Sequence, residues 1–162
     1  MNFFDANCQQ GPIVDTTFGI CDDEKGGVAY VELNTPTAWV ATVLNPNARA
    51  VTFTAIDKCV IKDGEERDRG RCDGMLTTDQ HLYLVELKNQ RHAWKSHATD
   101  QLKSTIRFLQ DSSDQLDGYR YRKAFACNRR HPSFNTVSNE EQKAFFREFG
   151  FRLDIQATIK ID

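Results

Sequence analysis

Apolar positions change their period along the chain, and the changes mark out the elements. VAYVEL (28–33) predicts a short strand. TAWVATVL (37–44) and AVTFTAIDKCVI (50–61) are rich in β-branched residues and flank the turn Asn45-Pro46-Asn47, so they predict a hairpin, although Thr35-Pro36 also offers a helix start. RCDGMLTT (71–78) predicts another short strand after the polar loop 62–70. LYLVELKN (82–89) opens with four apolar residues in a row, the pattern of a strand buried on both faces. From Ala93 to Leu109 the period becomes 3.6, with Trp94, Ala98, Leu102, Thr105, Ile106 and Leu109 on one helix face.

After a loop over 111–118, the segment 119–130 contains a strand centred on 124–127. Ser138 and Glu141 have capping-box spacing and open a short helix that Gly150 closes. From Phe151 to Ile161 every second residue is apolar, which predicts one half-exposed final strand. The first 26 residues show no clear period. Without a repeat, a low-complexity tract or a long linker, residues 1–162 are expected to form a single domain. Strands followed by helix, strand, helix and strand predict an α/β or α+β fold around a mixed sheet.

Composition narrows the possibilities. The chain has 162 residues, 40% hydrophobic and 27% charged, with a formal net charge of −2. That balance is ordinary for a globular protein and gives no overall attraction to nucleic acid, so such binding would need a local patch. No apolar stretch approaches the ~18 residues of a membrane span, and the N-terminus lacks the basic start and apolar centre of a secretory signal. The five cysteines (8, 21, 59, 72 and 127) form no CxxC pair. They are expected to be reduced thiols of a cytoplasmic protein, neither a disulfide frame nor a zinc site.

The candidate chemistry begins where LYLV meets charge. Glu86 and Lys88 are two apart on a strand and share a face, while Val85 and Leu87 point the other way. If the preceding strand pairs antiparallel with this one, Asp73 comes within reach of the same cation as Glu86. Two carboxylates and water suit Mg²⁺ or Mn²⁺, and a neighbouring lysine can act on an attacking water or on developing phosphate charge. The plainer alternative is an ion pair at a strand end. On the following helix, Gln101 projects from the apolar face, either as a packing glutamine or as a side chain reaching the acidic site.

Asp73, Glu86-x-Lys88 on an apolar strand, and a helix bearing Gln101 together resemble the PD-(D/E)XK nuclease superfamily. The strand–strand–strand–helix–strand order over about 50–130 is similar to that family's core. The resemblance implies a restriction-endonuclease-like fold, a mixed β-sheet flanked by helices, here with extra N-terminal strands. It also implies that Asp73 and Glu86 bind Mg²⁺ or Mn²⁺ with the Leu87 carbonyl, that Lys88 acts on the hydrolytic water, and that Gln101 supports the site or contacts backbone phosphate. Cys72 stands where the family often has proline, and Thr105 leaves a Gln-x-x-x-Tyr pattern incomplete. No first-helix acid can be placed, with Glu32 and Asp15 as the candidates.

Residues 119–132 contain five Lys or Arg and no acid, and Arg91, His92, Lys95 and His97 lie between the Glu-x-Lys strand and the helix. Arg91, Lys95, Arg120, Arg122, Arg129 and Arg130 are the candidate phosphate contacts. The expectation is a Mg²⁺-dependent nuclease acting on DNA, as a homodimer, within a larger complex or on a particular DNA structure, and no membrane partner. The rival is a catalytically silent member of the same fold, a protein-binding module of immunity or antitoxin type.

Overall fold

The computed structural model describes residues 1–66, 68–112 and 115–162. Among these residues the β-branched and alternating segments form ten strands. They are β1 (Gln9–Ile13), β2 (Thr17–Cys21), β3 (Tyr30–Glu32), β4 (Ala41–Leu44), β5 (Val51–Ala55), β6 (Gly74–Thr77), β7 (His81–Lys88), β8 (Tyr121–Asn128), β9 (Arg152–Ile155) and β10 (Thr158–Lys160). The two helices are α1 (Lys95–Ser112) and α2 (Asn139–Phe149). Ser138 caps α2 by accepting the Glu141 amide, and Gly150, at φ 72°, closes it in the left-handed conformation that glycine adopts without a Cβ clash.

Six strands form one sheet in the order β1-β5-β6-β7-β8-β9, and four form a second in the order β10-β4-β2-β3. β1, β5, β6 and β7 pair antiparallel, whereas β7, β8 and β9 run parallel, with α1 linking β7 to β8 and α2 linking β8 to β9. Parallel neighbours need such crossovers because their ends lie at opposite edges. The fold is therefore α+β with two mixed sheets.

β7 occupies the interior of the larger sheet, and seven of its eight residues are buried. Its two faces serve different cores. Leu82 and Leu84 join α1, α2, Met75, Ala124 and Ala126 in one apolar cluster. Tyr83, Val85 and Leu87 join Phe53, Phe125 and the second sheet's Phe18, Ile20 and Val43 in another. Each fully buried Leu or Val contributes roughly 1.5–3 kcal/mol. Helices cover one face of the large sheet and a sheet covers the other, where the sequence suggested helices around it.

Three further expectations are corrected. The segments 37–44 and 50–61 do not form a hairpin, because β4 and β5 belong to different sheets; Pro36–Ala38 is instead a 3₁₀ turn. The final alternating segment is two strands. Phe151, Leu153 and Ile155 enter the helix-side core, whereas Ala157, Ile159 and Ile161 enter the inter-sheet core. The period was right but the bend at 156–157 sends one apolar stripe into two cores. Finally, Cys8 and Cys59 form a disulfide, with Cα atoms 5.7 Å apart, so the expectation of five reduced thiols fails. Cys21, Cys72 and Cys127 are free and buried.

The aperiodic N-terminal segment supplies β1 and β2, and α1 continues through residues 111–112, where a loop was expected. Arg67, in the expected loop 62–70, and Ser113 and Asp114, in the expected loop 111–118, lie outside the described residues. No helix among the described residues is long and apolar enough to cross a membrane.

Candidate active site

Antiparallel pairing of β6 with β7 sets Gly74 opposite Val85, so one step further the register sets Asp73 opposite Glu86. Asp73 is fixed from both sides. Its carbonyl accepts the Ile56 amide at 2.9 Å, and its Oδ2 accepts the Leu87 amide at 2.7 Å. Gly74 is required beside it, because a Cβ there would overlap the Phe53 ring. Glu86 points to the α1 face, is 2% exposed, and its Oε2 has no hydrogen-bond donor. Lys88 stands on the same face, with Nζ 3.9 Å from Glu86 Oε1 and 3.4 Å from His97 Nδ1.

Burial pushes the Glu86 carboxyl well above the usual carboxylate range, and the Asp73 charge adds to the effect; Lys88 opposes both. Burial also raises Asp73, while hydrogen bonds with Glu86 and from the Leu87 amide hold it down. The two acids form a coupled pair able to retain one proton between them. Cys72, next to Asp73, is pushed well above the ordinary thiol value by burial and by the Glu86 charge, so it is no thiolate nucleophile.

Gln101 does not reach the carboxylates through a hydrogen bond. It packs beside Gly70 and donates from Nε2 to the Arg71 carbonyl at 3.4 Å, while its Oε1 is buried without a donor. Thr105, one turn further, accepts the Cys72 amide at 2.8 Å. Together they hold the backbone that leads into Asp73. The sequence placed Thr105 on the apolar stripe and at the end of the incomplete Gln-x-x-x-Tyr pattern, and neither reveals a hydroxyl aimed at a neighbouring backbone.

The basic candidates divide into two groups. Parallel pairing sets Tyr121 beside His81 and Asn128 beside Lys88. Arg122 and Arg120 therefore lie at the far end of β8, about 20 and 26 Å from Lys88 at the strand rise of ~3.3 Å per residue. Arg129 and Lys88 line one cleft of about 690 Å³. Arg91, Lys95 and Arg130 line another of about 770 Å³.

Of the N-terminal acids, Glu32 is committed elsewhere: it accepts from the amides of Asn34 and Thr35 and from Trp39 Nε1. Asp15 is exposed. Asp22, directly after β2, is the acid that the sequence reading missed. Its charge acts on Asp73, and it lines the same cleft as Lys88. Among the described residues, no three Asp, Glu, His or Cys side chains converge on one point.

A hard divalent cation fits the donor set on one ground: a buried carboxylate oxygen without a donor, next to a second carboxylate. Compared with protein families, curated proteins and solved structures, the chain matches none of them.

Proposed function

We propose that the protein is a metal-dependent nuclease of restriction-endonuclease-like fold, hydrolysing phosphodiester bonds in DNA. The observation that carries the reading is the orphaned Oε2 of buried Glu86 beside Asp73, with the Lys88 ammonium at the other oxygen. An idle surface ion pair would be solvated and contribute almost nothing. Here the Lys88 side chain is only 10% exposed and the Glu86 side chain 3%. Three antiparallel strands, β5, β6 and β7, followed by α1 and the parallel β8, support the resemblance. The layer of β2, β3, β4 and β10 is an addition to it.

Asp73, Glu86 and the Leu87 carbonyl would hold Mg²⁺ or Mn²⁺, which supplies positive charge to the scissile phosphate and acidifies water. Lys88 orients the attacking water, or takes up phosphate charge, from its position at the end of β7. Gln101 and Thr105 are positioning residues that fix Asp73 through its preceding backbone.

The test is cleavage of plasmid, linear duplex, single-stranded DNA and RNA with Mn²⁺. Glu86→Ala should abolish both cleavage and Mn²⁺-induced stabilisation. Absence of metal-dependent cleavage on every substrate sinks the nuclease. The second reading, a non-catalytic protein-binding module, is favoured by the net charge of −2 and by Phe146, which stands 60% exposed on the outer face of α2.

A further inference from the structure

The turn after β7 and the segment after β8 face each other across the 770 Å³ cleft. Arg91, His92 and Lys95 line it from one side, and Arg130, His131 and Phe134 from the other. No acid occurs between Glu86 and Asp100, or between Asp117 and Glu140. Seven other basic residues, Arg49, Arg71, Lys88, Arg107, Arg122, Arg152 and Lys160, have carboxylate partners. Among the described residues, Arg91, Lys95 and Arg130 have none.

Phe134 is 66% exposed, the most exposed large apolar side chain described. The backbone around it is fastened. The Ala157 amide donates to the Pro132 carbonyl, the Asn135 amide donates to the Ile155 carbonyl, and Lys95 Nζ donates to Asn135 Oδ1 at 2.8 Å. His131 Nε2 meets the Arg91 carbonyl at 2.9 Å, which ties the two walls together. An aromatic ring on an anchored backbone offers its exposed face to a planar group with little backbone ordering on binding.

We propose that this cleft binds single-stranded DNA, with Arg91, Lys95 and Arg130 tracking phosphates and Phe134 stacking on an unpaired base. Cations alone would serve a duplex equally well; an exposed aromatic among them favours a strand whose bases are free to stack. The inference rests on the proposed function and deepens it, making the substrate a single strand or a frayed end led toward Lys88. Arg130, whose Nε donates to Asn89 Oδ1 at 3.1 Å, sets the cleft beside the end of β7 that carries Lys88.

The test is fluorescence anisotropy with a labelled oligothymidine and with a blunt duplex of equal length, over a salt series in Ca²⁺. Oligothymidine should bind more tightly than the duplex. Phe134→Ala should weaken single-strand binding by ~5- to 100-fold, leave duplex binding and the melting temperature unchanged, and be rescued by Phe134→Trp. The Arg91→Ala, Arg130→Ala double variant should flatten the salt slope by about 1.4, two contacts at ~0.7 each. Single-strand binding with this pattern but no cleavage of any substrate supports the cleft and removes the nuclease. Duplex preference, or a Phe134→Ala variant that binds like the parent, overturns the cleft even if the protein cleaves DNA.

Discussion

Replacing Asp73 with asparagine separates a metal site from a structural acid pair. Asn retains an oxygen for the Leu87 amide, now bonded to Asp73 Oδ2 at 2.7 Å. Its new amide group can donate to Glu86 Oε2, which is buried without a donor. Satisfying such an acceptor is worth about 1–3 kcal/mol, and the neighbouring negative charge disappears as well. In EDTA, Asp73→Asn should therefore raise the melting temperature by ~2–12 °C, at ~2–4 °C per kcal/mol for a domain of this size. The parent should gain about 2.7 kcal/mol when Mn²⁺ exceeds its dissociation constant a hundredfold; the variant should gain none. The pH dependence has a definite sign. Glu86 is raised above its unfolded value, so the metal-free native state binds the proton more readily than the unfolded chain. Stability should rise as pH falls from neutrality toward the unfolded carboxylate value of ~4.3, and level off below it. Differential scanning fluorimetry across pH and Mn²⁺ reads all three effects. A parent indifferent to millimolar Mn²⁺, or an Asp73→Asn variant less stable than the parent in EDTA, refutes the reasoning.

If Lys88 acts on the attacking water, Lys88→Ala should keep Mn²⁺ stabilisation and lose cleavage, and Lys88→Arg should not restore it because a guanidinium does not release a proton near neutrality; cleavage at the parental rate by either variant removes that role. His81 is 1% exposed, bonded through Nδ1 to Thr78 Oγ1 at 2.7 Å and lowered by burial and the Arg49 charge. Its contribution to stability should be complete above the unfolded value of ~6.5 and fade as pH falls through the lowered folded value. His81→Asn should flatten that part of a urea-midpoint profile, and an unchanged profile would count against it. The Cys8–Cys59 bridge spans a sequence separation of 51. Reduction, or Cys8→Ser with Cys59→Ser, should cost up to ~4 kcal/mol by loop entropy; equal urea midpoints with and without reductant would contradict the bridge.

Local pattern specified much of this protein. The LYLV run fixed a strand buried on both faces, the 3.6 period fixed α1, the Ser138 cap and Gly150 fixed the ends of α2, and strand alternation set Glu86 and Lys88 on one face. These features depend on residues a few positions apart, so dihedral preference and side-chain direction suffice. Partner choice does not depend on such neighbours. β4 and β5 look like a hairpin, yet each lowers its free energy more by closing a different sheet. The stripe from Phe151 to Ile161 cannot reveal that it bends between two cores. Cys8 and Cys59 meet only because β1 pairs with β5. Tertiary structure likewise divided the basic run of 119–132, leaving Arg120 and Arg122 at one end of β8 and Arg129 and Arg130 at the other. It also turned Thr105 onto the Cys72 amide and brought the charge of Asp22 to bear on Asp73. Long-range contacts carry no period, because the free energy that selects them is the burial and hydrogen bonding of the whole assembly.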